Sequence, residues 1–323
     1  MRILMMGSGG VGCYYGALLA RAGEDVTFVA RGANLAALRE RGPRVQSVLG
    51  DFTVPPVRAM EDPGSLGPMD LILFCVKAYD TETAAPLVRR NVGPRTAVIS
   101  LQNGVEKEGQ LARALGEGAV MGGVAYLFAT RVAPGVVEHR GGPRKVAFGE
   151  LAGGDSERGR RIEATLKGAG IDAEFSRDVR VLIWDKFMTI CATAGATSLT
   201  RLPINEILAC PPGRALLEGL MAEVHRLALA QGIPLPEDAP AVRMAYLEKL
   251  EKGARTSLYH DLVAGRRMEL DFIHGTAVRL GRRLGIPTPL CFAAYAALKP
   301  HDLKAGVGGR EPGTGATQAQ GLK

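Results

Sequence analysis

The chain is poor in aromatic residues, which make up 5% of its 323 positions and include a single tryptophan. Basic side chains outnumber acidic ones by 40 to 33, for a formal net charge of +7. They are spread along the chain and not gathered into a patch interleaved with aromatics, which argues against nucleic acid as a partner. The excess fits solubility and anionic small molecules, or simply a composition rich in Arg, Ala, Gly and Pro. Cysteine is sparse too: Cys13, Cys75, Cys191, Cys210 and Cys291 show no CxxC or metal-like spacing. That pattern argues for reduced thiols in a cytoplasmic protein and against a structural metal. The histidines at 139, 225, 260, 274 and 301 form neither metal spacing nor a dyad. No apolar run reaches membrane-spanning length, and the first residues lack the charged, apolar and cleavage-site order of a signal peptide. A soluble cytoplasmic protein is expected.

Against those absences, 46% of the chain is hydrophobic, enough for two cores, since single cores seldom grow beyond about 250 to 300 residues. The first thirty residues are the most organised stretch. Residues 2–6 form a short apolar run, Gly7-Ser8-Gly9-Gly10-Val11-Gly12 follows directly, 11–22 carry a helical pattern and 25–30 a second strand. A glycine turn between strand and helix presents backbone N–H groups and the positive helix end, where a pyrophosphate binds. The spacing assigns Gly7 to the tight turn, Gly9 to close approach and Gly12 to helix packing, with Ser8, Gly10 and Val11 completing the loop. A glycine-rich connection in another α/β protein is the competing reading. An NAD-selective site wants Asp or Glu at the end of the second strand, where this chain has Val29-Ala30-Arg31. A guanidinium there suits a ribose 2′-phosphate by charge and by its fork, which favours NADPH. The alternative for Arg31 is a solvated loop residue.

Residues 34–41 read as a helix and 45–57 as two short strands around Gly50-Asp51, with Pro55-Pro56 keeping the second at an edge. The apolar runs 70–76 and 96–101 have the continuity of parallel strands buried on both faces. The first ends at Lys77, the second at Gln102-Asn103-Gly104. Ligands of open α/β sheets lie outside the carboxyl ends of the strands, so the glycine loop, Arg31, Lys77 and Asn103 should converge on one crevice. Lys77 then balances phosphate or substrate charge, and the Asn103 amide donates to a carbonyl or to the nicotinamide region. The plain alternatives are a solvated lysine and an Asn-Gly turn. Strands at 119–126, 136–139 and 146–149, a helix at 156–169 and a strand at 171–175 complete a first domain of residues 1–177.

After Asp178 nothing alternates as strands do. Helices are predicted at 180–197, 212–231, 237–251, 258–265, 269–284 and 289–298, giving an all-helical domain over 178–304. The tail 305–323, rich in Gly, Thr and Gln, is expected to be disordered. The fold class is therefore α/β, a Rossmann-type dinucleotide-binding domain followed by an all-helical C-terminal one. On the first of these helices Thr189, Thr193 and Thr197 follow Lys186 by three, seven and eleven positions, on one face. A lysine above three hydroxyls suits the border of a water-containing cleft. Equally, such threonines bond back to their own helix and the lysine is exposed. In 256–271, Ser257 and Asp261 suit the start of one helix and Glu269 that of another.

Taken in order, GSGGVG at 7–12, the strand end at Arg31, CVKAYD at 75–80, LQNG at 101–104, WDK at 184–186 and TSLYHDLVAGRRMELD at 256–271 resemble the ketopantoate reductase (2-dehydropantoate 2-reductase) family, over residues 1 to about 299. The resemblance implies NADPH-dependent reduction of the C2 ketone of 2-dehydropantoate, on the route to pantothenate and coenzyme A. It also implies the two-domain plan shared with the 6-phosphogluconate dehydrogenase group, with substrate in the cleft between the domains. Residue by residue, it makes Lys186 the general acid and Asn103 the amide near cofactor and substrate. It makes Lys77 the strand-end lysine of the cleft, Ser257 a contact of the substrate carboxylate, and Glu269 the second catalytic group, bonding the substrate hydroxyl beside the cofactor. An ammonium within reach of the carbonyl oxygen suits this chemistry, because it stabilises negative charge there and then donates the proton.

The chain departs from the family at two positions. Asn residues usually stand four and eight positions after the lysine, where this chain has Ile190 and Ala194. The expectation is that hydroxyls of Thr189, Thr193 or Thr197 replace part of that bonding and that the pocket takes 2-dehydropantoate or another 2-oxo acid, since buried donors set selectivity. Two competing readings are a 3-hydroxyacid dehydrogenase relative and a non-catalytic NADPH-binding sensor, which has no need of Lys186 and Glu269 at the nicotinamide. Apolar helical faces in the second half fit a homodimer.

Overall fold

The structure, a computed structural model, describes residues 1–308. It divides into two compact units, Met1–Phe187 with Ala228–Pro236, and Met188–Leu227 with the described residues from Glu237 onward. The first unit contains β1 (Arg2–Met6), α1 (Gly10–Arg21), β2 (Asp25–Val29), α2 (Gly32–Glu40), β3 (Arg44–Ser47), β4 (Phe52–Thr53), β5 (Arg58–Met60), β6 (Leu71–Phe74), α3 (Thr81–Ala84), β7 (Ala97–Ser100), α4 (Lys107–Leu115), β8 (Val120–Tyr126), β9 (Ala129–Ala133), β10 (Val136–His139), β11 (Lys145–Glu150), α5 (Glu157–Gly168) and β12 (Asp172–Phe175).

Eight strands form one sheet in the order β12-β11-β8-β7-β6-β1-β2-β5, parallel throughout except where β11 meets β8. Successive side chains of a strand face opposite sides, and here each side has its own core. Ile3, Met5, Leu71, Leu73 and Ile99 pack with α1 on one face. Leu4, Met6, Ile72, Phe74 and Val98 pack with Leu111 of α4 on the other. Both faces therefore need apolar residues, which is why these strands read as unbroken apolar runs. Each such side chain contributes about 1.5–3 kcal/mol on burial.

A separate four-stranded sheet, β4-β3-β10-β9, was not foreseen from the sequence. The residues of β9 after Ala129 are exposed, so the strand has no buried face to print an alternation. The β3–β4 pair around Gly50-Asp51 is antiparallel with β4 at the edge, ahead of Pro55-Pro56.

Beyond β12 come α6 (Val179–Thr200), α7 (Ile204–Ala209), α8 (Pro211–Ala230), α9 (Ala239–Leu247), α10 (Ser257–Val263), α11 (His274–Leu284) and α12 (Pro289–Gly308). The sequence reading puts the domain border at 177/178. By compactness the chain divides within α6, after Phe187, with Val179 and Ile183 of its first turns packed against Val124 and Ala147 of the sheet. The helix read over 269–284 is broken: a 3-10 turn, Leu270–Phe272, and Ile273 (φ −104°, ψ −88°) precede α11. The helix read as ending at Leu298 continues through Pro300 to Gly308. Residues 305–308 of the expected tail are thus helical, and 309–323 lie outside the described residues. Proline removes one helical hydrogen bond. Beyond it, Asp302 is anchored, its Oδ1 accepting the Met268 N–H at 2.8 Å.

Candidate active site

The glycine loop between β1 and α1 is shaped by contacts that only glycine permits. Gly7 has φ +101°, and a Cβ on Gly12 would stand 2.0 Å from the Gly7 carbonyl oxygen. A Cβ on Gly10 would meet the Ala129 carbonyl oxygen of β9 at 2.3 Å, whereas one on Gly9 would meet no atom within 4 Å. Gly9 is also the N-cap of α1 and supplies no side chain to cap it. The loop therefore fits a pyrophosphate drawn to the helix end, with close approach open at Gly9. Ser8 has a different task from the one its position in the loop suggests. It is buried, its hydroxyl donates to the Val29 carbonyl at 2.9 Å, and Asn34 Nδ2 donates to its carbonyl at 3.1 Å. The hydroxyl ties the loop to the end of β2, and the Ser8 backbone carbonyl, through Asn34, ties it to the start of α2.

Because β1, β2, β6, β7 and β8 are parallel, their carboxyl ends share one edge of the sheet. Along that edge, in the order β8-β7-β6-β1-β2, stand Ala125-Tyr126, Asn103, Lys77, the glycine loop and Arg31. At about 4.8 Å per strand the row spans roughly 19 Å. Arg31 is exposed at the N-cap position of α2. Lys77, half-buried, precedes a 3-10 turn over Ala78–Asp80.

The loop carrying Asn103 is fastened on both sides by residues the sequence reading passed over. Gln102 is buried; its Nε2 donates to Thr81 Oγ1 at 2.8 Å and its Oε1 accepts from Ser100 Oγ at 2.9 Å. Lys107 is 4% exposed, donates to the Gly123 carbonyl at 2.8 Å and the Ser100 carbonyl at 3.4 Å, and pairs with Glu108. Burial of an ammonium is tolerable only with such pairing and bonding. The available signal was a glutamine directly after an apolar strand.

Lys186 belongs to the same unit as the sheet. Its Nζ donates to the Ala125 carbonyl at 2.7 Å and lies 5.9 Å from the centre of the Tyr126 ring, so the ammonium sits at the carboxyl end of β8. Trp184 and Phe187, on other faces of α6, are buried against one another edge to face at 5.8 Å.

In the second unit, Thr193 Oγ1 donates to the Thr189 carbonyl at 2.9 Å and Thr197 Oγ1 to the Thr193 carbonyl at 2.7 Å. The hydroxyl protons of these two residues are spent inside α6, leaving their oxygens as acceptors only. Thr197 also meets Thr256 Oγ1 at 3.0 Å, and Thr256 caps α10 by accepting the Tyr259 N–H. The cap is thus Thr256, one residue before the Ser257 expected there. Ser257 is the first helical residue and is exposed. Asp261 accepts from Arg266 Nε at 2.9 Å, and Glu269 is buried just ahead of the 3-10 turn. At the two departures from the family pattern, Ile190 is half-buried and Ala194 fully buried.

A family model described as Ketopantoate reductase PanE/ApbA matches residues 3–153, and its C-terminal counterpart, Ketopantoate reductase PanE/ApbA C terminal, matches 178–302. The chain is 32% identical over 287 residues to a 2-dehydropantoate 2-reductase of Archaeoglobus fulgidus, covering 88% of this chain and 92% of the relative. The crystal structure of 2-dehydropantoate 2-reductase from Geobacter metallireducens GS-15 superposes with a TM-score of 0.87 at 33% identity, over 93% of this chain and 99% of that one. A D-mandelate dehydrogenase solved with NADH and anilino(oxo)acetate shares the fold, with a TM-score of 0.85 at 21% identity over 95% and 99% of the two chains.

Proposed function

The chain belongs to the ketopantoate reductase family, and on that premise we propose that it is an NADPH-dependent reductase of 2-oxo acids whose substrate is 2-dehydropantoate. The observation that carries the reading is the Lys186 ammonium, held by the Ala125 carbonyl on the sheet edge that also bears the glycine loop. The reduced nicotinamide supplies the hydride that converts the C2 ketone to an alcohol. Lys186 stabilises the negative charge gathering on the ketone oxygen, then gives that oxygen its proton and is recharged from solvent. Asn103, on its doubly fastened loop, orients the reacting groups, and Lys77 balances anionic charge. Ser257 contacts the substrate carboxylate and Glu269 bonds the substrate hydroxyl beside the cofactor. Thr189 and Thr193 border the substrate, Thr193 through an acceptor oxygen. Arg31 takes the 2′-phosphate.

Ile190 and Ala194 favour a second reading, a 2-oxo acid with fewer polar groups to satisfy than 2-dehydropantoate. The two are separated by following NADPH oxidation spectrophotometrically against a panel of 2-oxo acids. The first reading requires 2-dehydropantoate to give the highest kcat/KM of the panel. A bulkier apolar 2-oxo acid in that place selects the second, and absence of turnover with every member removes both.

A further inference from the structure

Glu269 stands in a short irregular segment whose own backbone bonds run from the Phe272 and Ile273 N–H groups to the Glu269 carbonyl, each at 3.1 Å. It precedes a 3-10 turn of three residues and then Ile273, outside helical geometry. Most of the side-chain ties to the segment come from α12. Asp302 is 5% exposed and its Oδ1 takes the Met268 N–H, the backbone group immediately before Glu269. Two residues after Glu269, the Asp271 carboxylate accepts from Tyr295 Oη at 2.7 Å and from Lys299 Nζ at 2.6 Å. Lys299 also reaches Asp302 Oδ2 at 3.3 Å, and Arg279 donates to the Asp271 carbonyl at 3.1 Å. Positions 295, 299 and 302 are spaced i, i+4 and i+7, one stripe of the helix.

We infer that Tyr295, Lys299 and Asp302 of α12 are positioning residues for the substrate, bracketing Glu269 from both sides so that its carboxylate meets the substrate hydroxyl in one orientation. The inference rests on the substrate role given to Glu269 above. A carboxylate left to several orientations loses affinity and rate through entropy, even when no contact of its own is removed. Charge supports the geometry. Burial works to raise the Asp271 carboxyl, but the bonds from Lys299 and Tyr295 outweigh it and hold the carboxyl below its ordinary range. Lys299 is the keystone because it spans both anchors.

The test uses the full chain with 2-dehydropantoate, or the best 2-oxo acid of the panel. Lys299→Met should raise KM about tenfold while the dissociation constant of NADPH stays within about twofold, and Lys299→Arg should recover most of the loss. In a Glu269→Gln background the Lys299→Met change should add less than about twofold, because the residue it positions is already disabled. Tyr295→Phe, which deletes one hydrogen bond and leaves the packing, should shift KM in the same direction by about two- to threefold. Full additivity of the Lys299 and Glu269 effects, or equal losses in KM and NADPH affinity, would overturn the inference in favour of a general structural role. Unchanged KM in both α12 variants would overturn it too. If Glu269→Gln alone leaves both kcat and KM unchanged, the substrate role of Glu269 falls and takes the inference with it. The panel result then still decides the reaction separately.

Discussion

Arg31 and Lys186 are cations at the ends of two strands on one sheet edge, but different chemistry is asked of each. In the function proposed above, Arg31 recognises a charge that NADPH carries and NADH lacks. Hydrogen bonds to charged groups contribute about 1.5–3 kcal/mol, so Arg31→Ala should weaken NADPH by about ten- to a hundredfold and NADH by less than about twofold. Titration of the apoprotein with each nucleotide measures this, and equal losses would refute the 2′-phosphate role. Lys186, in the same proposal, acts at the moment of proton transfer. Lys186→Ala should lower kcat by about 10²–10⁴-fold with NADPH affinity little changed. Unchanged turnover in that variant would remove Lys186 from the mechanism.

At the scale of elements, the start of α1 depends on two backbones in contact. A methyl at Gly12 would press on the Gly7 carbonyl oxygen at 2.0 Å, and neither partner is the free end of a side chain. Gly12→Ala should therefore cost about 1–3 kcal/mol and abolish the rise in Tm expected when NADPH is added to the wild type. A Tm that still climbs with NADPH would show the loop intact. The end of α6 offers the reverse case. Arg201 has φ +63°, the left-handed region, with its N–H bonded to the Thr197 carbonyl. Arg201→Gly should stabilise the chain by up to about 1 kcal/mol, read as a higher Tm.

What the sequence revealed about these elements follows from how local each signal is. The glycine loop and the central strands were legible because six consecutive residues and two unbroken apolar runs carry them. The bond of the Ser8 hydroxyl was not legible, since its partner lies 21 positions away, and Lys107 was silent, since the carbonyl it holds lies 16 positions on. Thr256 and Ser257 have equal capping chemistry, so only geometry chooses between them. The helix expected over 289–298 runs on through Pro300 because Asp302, beyond it, is held by a contact with residue 268, which no local pattern carries.

For the molecule as a whole, two buried histidines, His139 and His274, bear on how stability depends on pH. His274 is fully buried at the start of α11, Nε2 against the Cys191 carbonyl at 2.9 Å, and burial pushes its pKa down to about 4. His139, 1% exposed and with Nδ1 against Ser47 Oγ at 2.9 Å, is lowered as well, by burial and by Arg144. Unfolded histidine binds its proton near pH 6.5, so between there and pH 4 the unfolded chain holds protons that the folded one refuses. The part of the stability that rests on these histidines should be fully present above about pH 6.5 and decline as pH falls toward 4, His274 accounting for something on the order of 3 kcal/mol. A further loss follows at lower pH. Glu150 is held below the usual carboxylate range by its Arg158 hydrogen bonds, and its contribution disappears only as pH falls through that lowered value. The two histidines lie in different compact units, and the single tryptophan, Trp184, lies in the unit of His139. Urea unfolding is followed at several pH values by far-UV circular dichroism, to which the helices of both units contribute, and by Trp184 fluorescence, which reports on the unit of His139. His274→Gln should flatten the decline between pH 6.5 and 4 in the helical signal and leave the fluorescence transition with its slope. A helical transition as steep in that variant as in the wild type would show that His274 is not the group responsible.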